Sequence, residues 1–202
     1  MNDSIEDSKS SSFTAFCVVL VVYTIFAGGT PHGRSPNEQS RLELAVALAK
    51  FGSVSIDPVL MAYGVPFDRA EREGRTYSDK APGLSLFGVP IVWLADLFLS
   101  REGNSSLPGY WGLRHLMTWL LITLPAALFP RIALGSYRLV PAWSKKIRIA
   151  LLFALVTPVM TYSGVLFGHV TSGILAGMAW LLTLLPEQHN LPSVRTAVLA
   201  RL

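Results

Sequence analysis

Apolar and polar positions alternate along this chain in long blocks rather than in single steps. Residues 1–12 are polar, and Phe13 to Gly29 follows as 17 residues without a charge. That is the low end of what crosses a bilayer as a helix. A cleaved signal peptide is the rival reading, but the flank has no basic n-region and no clean small-x-small site closes the segment. Thr30 to Gly83 is polar with no spanning run. Leu84 to Leu99 is apolar over 16 residues but is interrupted by Pro90 and Asp96. An aspartate at the bilayer centre costs roughly 2.5 to 3.5 kcal/mol, so this block reads as a half-buried helix beside the membrane. His115 to Gly135, Ile149 to Gly164 and Val165 to Pro186 complete a set of four spans.

Within the polar region, Ser35-Pro36-Asn37-Glu38 has the form of a capping box with proline at the first helical position. It predicts a helix over Pro36 to about Phe51, with Gly52 as its stop. Leu44, Ala45, Leu48 and Phe51 share one face, as in an amphipathic helix lying at an interface. Asp57-Pro58 and Gly64-Val65-Pro66 break the chain, and Phe67 to Lys80 reads as a densely charged loop.

Composition supports the membrane reading, with 51% of residues hydrophobic and 15% charged, against about a quarter charged in soluble domains. The single Cys17 excludes an internal disulfide and a cysteine metal site. The net charge of +4 is small and dispersed, which argues against nucleic acid as a partner. Arg138, Lys145, Lys146 and Arg148 are unopposed by acid, and short basic loops stay cytoplasmic. The expected fold is therefore an all-α integral membrane protein with four transmembrane helices. Cytoplasmic tails are expected at 1–12 and 187–202, around a membrane domain over 13–186. The long loop 30–113, carrying interfacial helices, lies outside, and the localisation is a bacterial inner membrane with both termini cytoplasmic. Asn104-Ser105-Ser106 has the form of a glycosylation sequon, and Gly173 to Gly177 has small-xxx-small spacing suited to close helix packing.

The candidate chemistry gathers at Gly74 to Gly83. Lys80, beside Asp79 and at the edge of an apolar block, suits a phosphate head group, because lysine binds phosphate as a point charge. The plainer reading is a loop followed by a helix, with Lys80 snorkelling along apolar surface.

Tyr77-Ser78-Asp79-Lys80-Ala81-Pro82-Gly83-Leu84-Ser85-Leu86 resembles the first-loop motif of bacterial membrane glycosyltransferases of the GT-C type. These include relatives of protein O-mannosyltransferase and of the aminoarabinose transferase. Lys80-Ala81-Pro82 looks like a variant of the group's lysine-proline-proline motif. Glu38-Gln39-Ser40-Arg41 is similar to its acidic residue three before an arginine, and Tyr162-Ser163 with Leu166 to His169 fits as well. The resemblance covers roughly residues 13 to 186 and corresponds to the amino-terminal half of such an enzyme.

The resemblance implies transfer of a sugar from a polyprenyl-phosphate carrier to a hydroxyl acceptor. Lys80 would hold the donor phosphate with Arg41 or Arg75 as helpers, and Glu38 would be the general base. Asp79 and Asp68 would orient Lys80 or bind sugar hydroxyls, and His169 would add a hydrogen bond to phosphate or sugar. No cofactor beyond the lipid-linked donor is implied, and metal dependence stays open. Expected partners are membrane lipid and a missing carboxy-terminal half or partner subunit. Each residue has a plainer role: Glu38 as a cap, Asp79 as an ion partner of Lys80, His169 as a satisfied helix-end residue, Asp57 as a turn residue. Arg69 to Glu73 has one too, as a solvated face. The alternatives to an enzyme are a non-catalytic remnant or accessory subunit of the same fold and, less well supported, part of a small transporter.

Overall fold

The computed structural model of the chain describes residues 2–29, 35–99, 110–128 and 143–184. Its helices are α1 (Asn2–Gly29), α2 (Pro36–Phe51), α3 (Asp57–Tyr63), α4 (Gly83–Leu99), α5 (Tyr110–Thr118), α6 (Trp143–Val156), α7 (Pro158–Tyr162) and α8 (Gly168–Leu184). A π-helical segment, Trp119–Thr123, continues α5. Between α3 and α4 lies one antiparallel hairpin, β1 (Arg69–Arg72) with β2 (Arg75–Ser78).

The expectation of an all-α integral membrane fold with four transmembrane helices is overturned, and so is the inner-membrane localisation with cytoplasmic termini. Among the described residues, no helix is long and apolar enough to cross a membrane. The apolar runs are too short or are broken. Helix α8 covers 17 described residues, Gly168–Leu184, a rise of about 25 Å. The run Ile149 to Gly164 divides at Thr157, where α6 ends and α7 begins with its own cap: the Thr157 hydroxyl accepts from Val159 N–H at 3.3 Å. In α1 the uncharged 17 residues follow an amino-terminal half bearing Asp3, Glu6, Asp7 and Lys9. The loop 135–142, the sequon at Asn104 and the tail 187–202 lie outside the described residues.

Helix α2 stands at the centre. Its boundaries follow the sequence: Pro36 lies in the first turn, and Gly52 adopts φ 60°, the left-handed conformation that glycine takes without steric cost. Its environment does not. Every residue from Glu38 to Ala47 is buried, so α2 is a core helix rather than an interfacial one. Burying polar groups requires partners, and α2 has them. Gln39 Nε2 donates to Glu43 Oε1 at 2.8 Å, the Ser40 and Ser78 hydroxyls meet at 2.8 Å, and Ser85 Oγ donates to the Arg41 carbonyl at 2.9 Å. The capping box is not realised, since Ser35 makes no side-chain cap.

Leu42, Val46, Ile56, Val92, Leu113, Met117 and Leu166 form the core around α2. Helix α4 runs unbroken through Pro90 and packs along α2. Asp96 is ion-paired with Lys50, and Trp93 Nε1 donates to the Ala49 carbonyl at 2.8 Å. Tyr23 of α1 is buried and donates to the Ala154 carbonyl of α6 at 2.5 Å, and burial pushes its phenol up to about 12.

The charged stretch that reads as a loop folds as the hairpin. Glu73 and Gly74 connect Arg72 to Arg75 with φ of 53° and 73°. Positive φ at both loop positions is the requirement of a type I′ turn, whose twist matches paired strands.

Candidate functional site

Three tethers fix the hairpin against the α2–α3 connection and the start of α3. Ile56 N–H donates to the Thr76 carbonyl at 2.9 Å, Ser55 bridges to Tyr77, and Thr76 N–H donates to Asp57 Oδ1 at 3.0 Å. Asp57 Oδ2 also accepts from the Ser55 hydroxyl at 2.6 Å. These bonds, the Ser55 one foremost, hold the Asp57 carboxyl below its usual range. Asp57 thus locks the hairpin rather than filling a simple turn.

So anchored, the open end of the hairpin carries Asp68 on one side and Asp79-Lys80 on the other. Lys80 Nζ lies 3.0 Å from Asp79 Oδ2 and 3.2 Å from Asp68 Oδ2. The Lys80 side chain is 19% exposed, and its backbone N–H donates to Ser78 Oγ at 3.3 Å, the same hydroxyl that meets Ser40 of α2. Hydrogen bonds to Asp79 and then Asp68 raise the Lys80 ammonium above its ordinary value, against opposing desolvation. Arg41 of α2 faces the same carboxylates. Burial lowers its guanidinium, while the charges of Asp79, Asp68 and Glu38 raise it. Its Nη1 donates to the Asn37 carbonyl at 2.9 Å and to Asn37 Oδ1 at 2.7 Å.

Lys80 and two carboxylates therefore meet where α2 and the hairpin join, and the Arg41 guanidinium of α2 feels the charge of both carboxylates. On the far side of Arg41 is an aromatic group. The guanidinium carbon is 5.9 Å from the Phe167 ring centroid, within cation–π range. Phe167, Tyr162 and His169 stand in a triangle with centroid separations of 6.1, 5.9 and 6.1 Å.

Of the residues singled out by sequence, Arg41, Asp68, Asp79 and Lys80 come together, and His169 approaches them through Phe167. Glu38 does not join them. It is 2% exposed and turned inward: Oε1 accepts from Arg114 Nη2 at 2.9 Å and from Leu166 N–H at 2.7 Å, and Oε2 accepts from the same Arg114 nitrogen at 3.1 Å. Both oxygens of the buried carboxylate are thus engaged by Arg114 and the Leu166 amide, which gives Glu38 a framework role in this structure. Arg75 also stands apart, at the turn end of the hairpin, where its charge acts on Asp57. Arg69 to Arg72 is exposed throughout, as a solvated face would be.

Sequence reasoning missed Arg114 and gave Phe167, within the stretch Leu166 to His169, no role of its own. The signal for Arg114 was thermodynamic, because a glutamate inside an apolar helix needs a buried cation, but nothing in spacing says which one. Among the described residues no cluster of three or more His, Cys, Asp or Glu side chains is placed to hold a metal ion. No protein-family model, curated protein or solved structure matches the chain.

Proposed function

We propose that the chain carries the donor site of a glycosyltransferase that takes a sugar from a polyprenyl-phosphate carrier and passes it to a hydroxyl acceptor. The observation that supports this reading is the pairing of Lys80 with Asp68 and Asp79, within the electrostatic reach of the Arg41 guanidinium. A phosphate entering beside the two cations gains charge-assisted hydrogen bonds. The carboxylates it displaces from Lys80 are then available to sugar hydroxyls. Asp68 and Asp79 hold this place, because Glu38 is committed to Arg114 and Leu166.

The test is donor binding. Lys80→Ala removes a charge-assisted contact of roughly 1.5 to 3 kcal/mol, so affinity for a polyprenyl-phosphate sugar falls on the order of tenfold to a hundredfold while circular dichroism stays unchanged. Lys80→Arg recovers affinity in part, since a planar fork does not replace a point charge. Affinity equal to wild type in Lys80→Ala would show Lys80 to be structural. One observation favours a second reading. The Lys80 charge is already compensated by two carboxylates, as in an ion cluster that only fastens the hairpin to α2. If the wild type binds no such donor, this non-catalytic role takes over.

A further inference from the structure

Beside the aromatic triangle, α6, α7 and α8, with Ala126, line a half-open pocket of about 240 Å³. For scale, an apolar cavity of about 150 Å³ accepts benzene. Phe153, Val159, Val170 and Ile174 line the cavity with hydrocarbon, and Tyr162 and His169 bring a phenol and an imidazole to it. The imidazole packs edge-on against Tyr162 and Phe167, and Phe167 in turn lies beneath Arg41. One aromatic ring, Phe167, thus stands between Arg41 and the Tyr162–His169 edge of an apolar pocket.

This combination selects for a particular kind of molecule. The walls favour a compact hydrocarbon or aromatic body, larger than benzene. A neutral imidazole accepts one hydrogen bond from a hydroxyl, and an apolar site with few polar groups draws its selectivity from them. An anion would be drawn instead to Arg41 and Lys80 on the other side of Phe167. We infer that the cavity is the acceptor subsite and takes an apolar alcohol or phenol whose hydroxyl donates to His169. This rests on the glycosyl-transfer reading for the word acceptor, but the binding site itself stands on the cavity and its lining.

The experiment uses the full chain and no donor. Affinities for 4-butylphenol and for butylbenzene, which differ by the hydroxyl, are measured by titration calorimetry. The His169 ring resonances are followed by NMR in the same titrations. Wild type should bind the phenol about tenfold more tightly than the hydrocarbon, with His169 shifts saturating alongside. His169→Ala should bind both alike, which separates recognition of the hydroxyl from the apolar contribution. His169→Gln, which keeps a hydrogen-bond acceptor, should restore part of the preference. Gly173 also lines the cavity, and a Cβ placed there meets nothing within 4 Å. Gly173→Leu should therefore fill the cavity and abolish binding of both probes with an unchanged circular dichroism spectrum. Equal affinity of wild type for the two probes, or binding of neither, overturns the proposal, as does a preference that survives His169→Ala. If the phenol binds as described but no polyprenyl-phosphate sugar does, the cavity stands and the glycosyl-transfer reading falls.

Discussion

A single carboxylate, Glu38, shows how position in sequence and role in structure separate. Its spacing from Ser35 and Arg41 fits a cap or a base, yet both of its oxygens face a buried guanidinium and one also takes a backbone N–H. The Arg114 and Glu38 side chains are 5% and 3% exposed. Removing one member leaves the other charged and buried, at a cost of about 3 to 5 kcal/mol. Glu38→Gln and Arg114→Met should each lower stability by roughly that amount in urea denaturation. The double variant should lose clearly less than the sum, because neither uncompensated charge remains. Strict additivity would mean that the two side chains do not act as a pair. Lys80 contrasts with Glu38. It is partly exposed and shares two carboxylates, so its loss should be felt in ligand binding more than in folding.

The elements were legible where their signals are local. Pro36 and Gly52 mark the ends of α2 through backbone geometry alone, and the structure keeps both. The side of α2 that would face water was not legible. Its apolar positions suggest one buried face, whereas Ser40, Gln39 and Arg41 are buried through partners on distant segments, such as Ser78 and Gly64. The hairpin was hidden for another reason: β1 is charged and exposed and β2 is polar and half-buried, so no alternation of apolar residues announces them. The Glu73-Gly74 pair was the available cue. This hairpin carries a pH dependence. A carboxyl held below its usual range in the folded state contributes stability that is fully present above the unfolded value, near 3.9, and is lost as pH falls through the lower folded value. Asp57→Asn should accordingly speed amide exchange in β2 relative to wild type at pH 7. The difference should shrink as the pH is lowered below about 4. A gap that is constant across that range would assign the effect to geometry rather than to charge.

At the scale of the molecule, the apolar runs were read correctly as helical and incorrectly as spans. They are apolar on outer as well as inner faces: Val18, Val21 and Ile25 of α1, and Leu94, Leu97 and Phe98 of α4, are all exposed. Composition cannot distinguish that pattern from a transmembrane helix. One distinction is the break at Thr157-Pro158, which composition averages away. The candidate site was legible as residues but not as a place, because it joins α2, the hairpin and the segment around Phe167. The Glu38–Leu166 hydrogen bond sets a timetable for the nascent chain. Glu38 precedes its amide partner by 128 residues. At synthesis rates of about 5 to 20 residues per second, roughly 6 to 25 s pass before that partner exists. Through that interval the first turn of α2 holds a carboxylate that its eventual surroundings do not yet fully satisfy. A chain ending after Tyr162 should therefore show rapid hydrogen exchange across 38–47, where the full chain is protected. Equal protection in the two would mean that the core closes without its last strut. In a living cell, this is the window in which a chaperone or a protease would meet the protein.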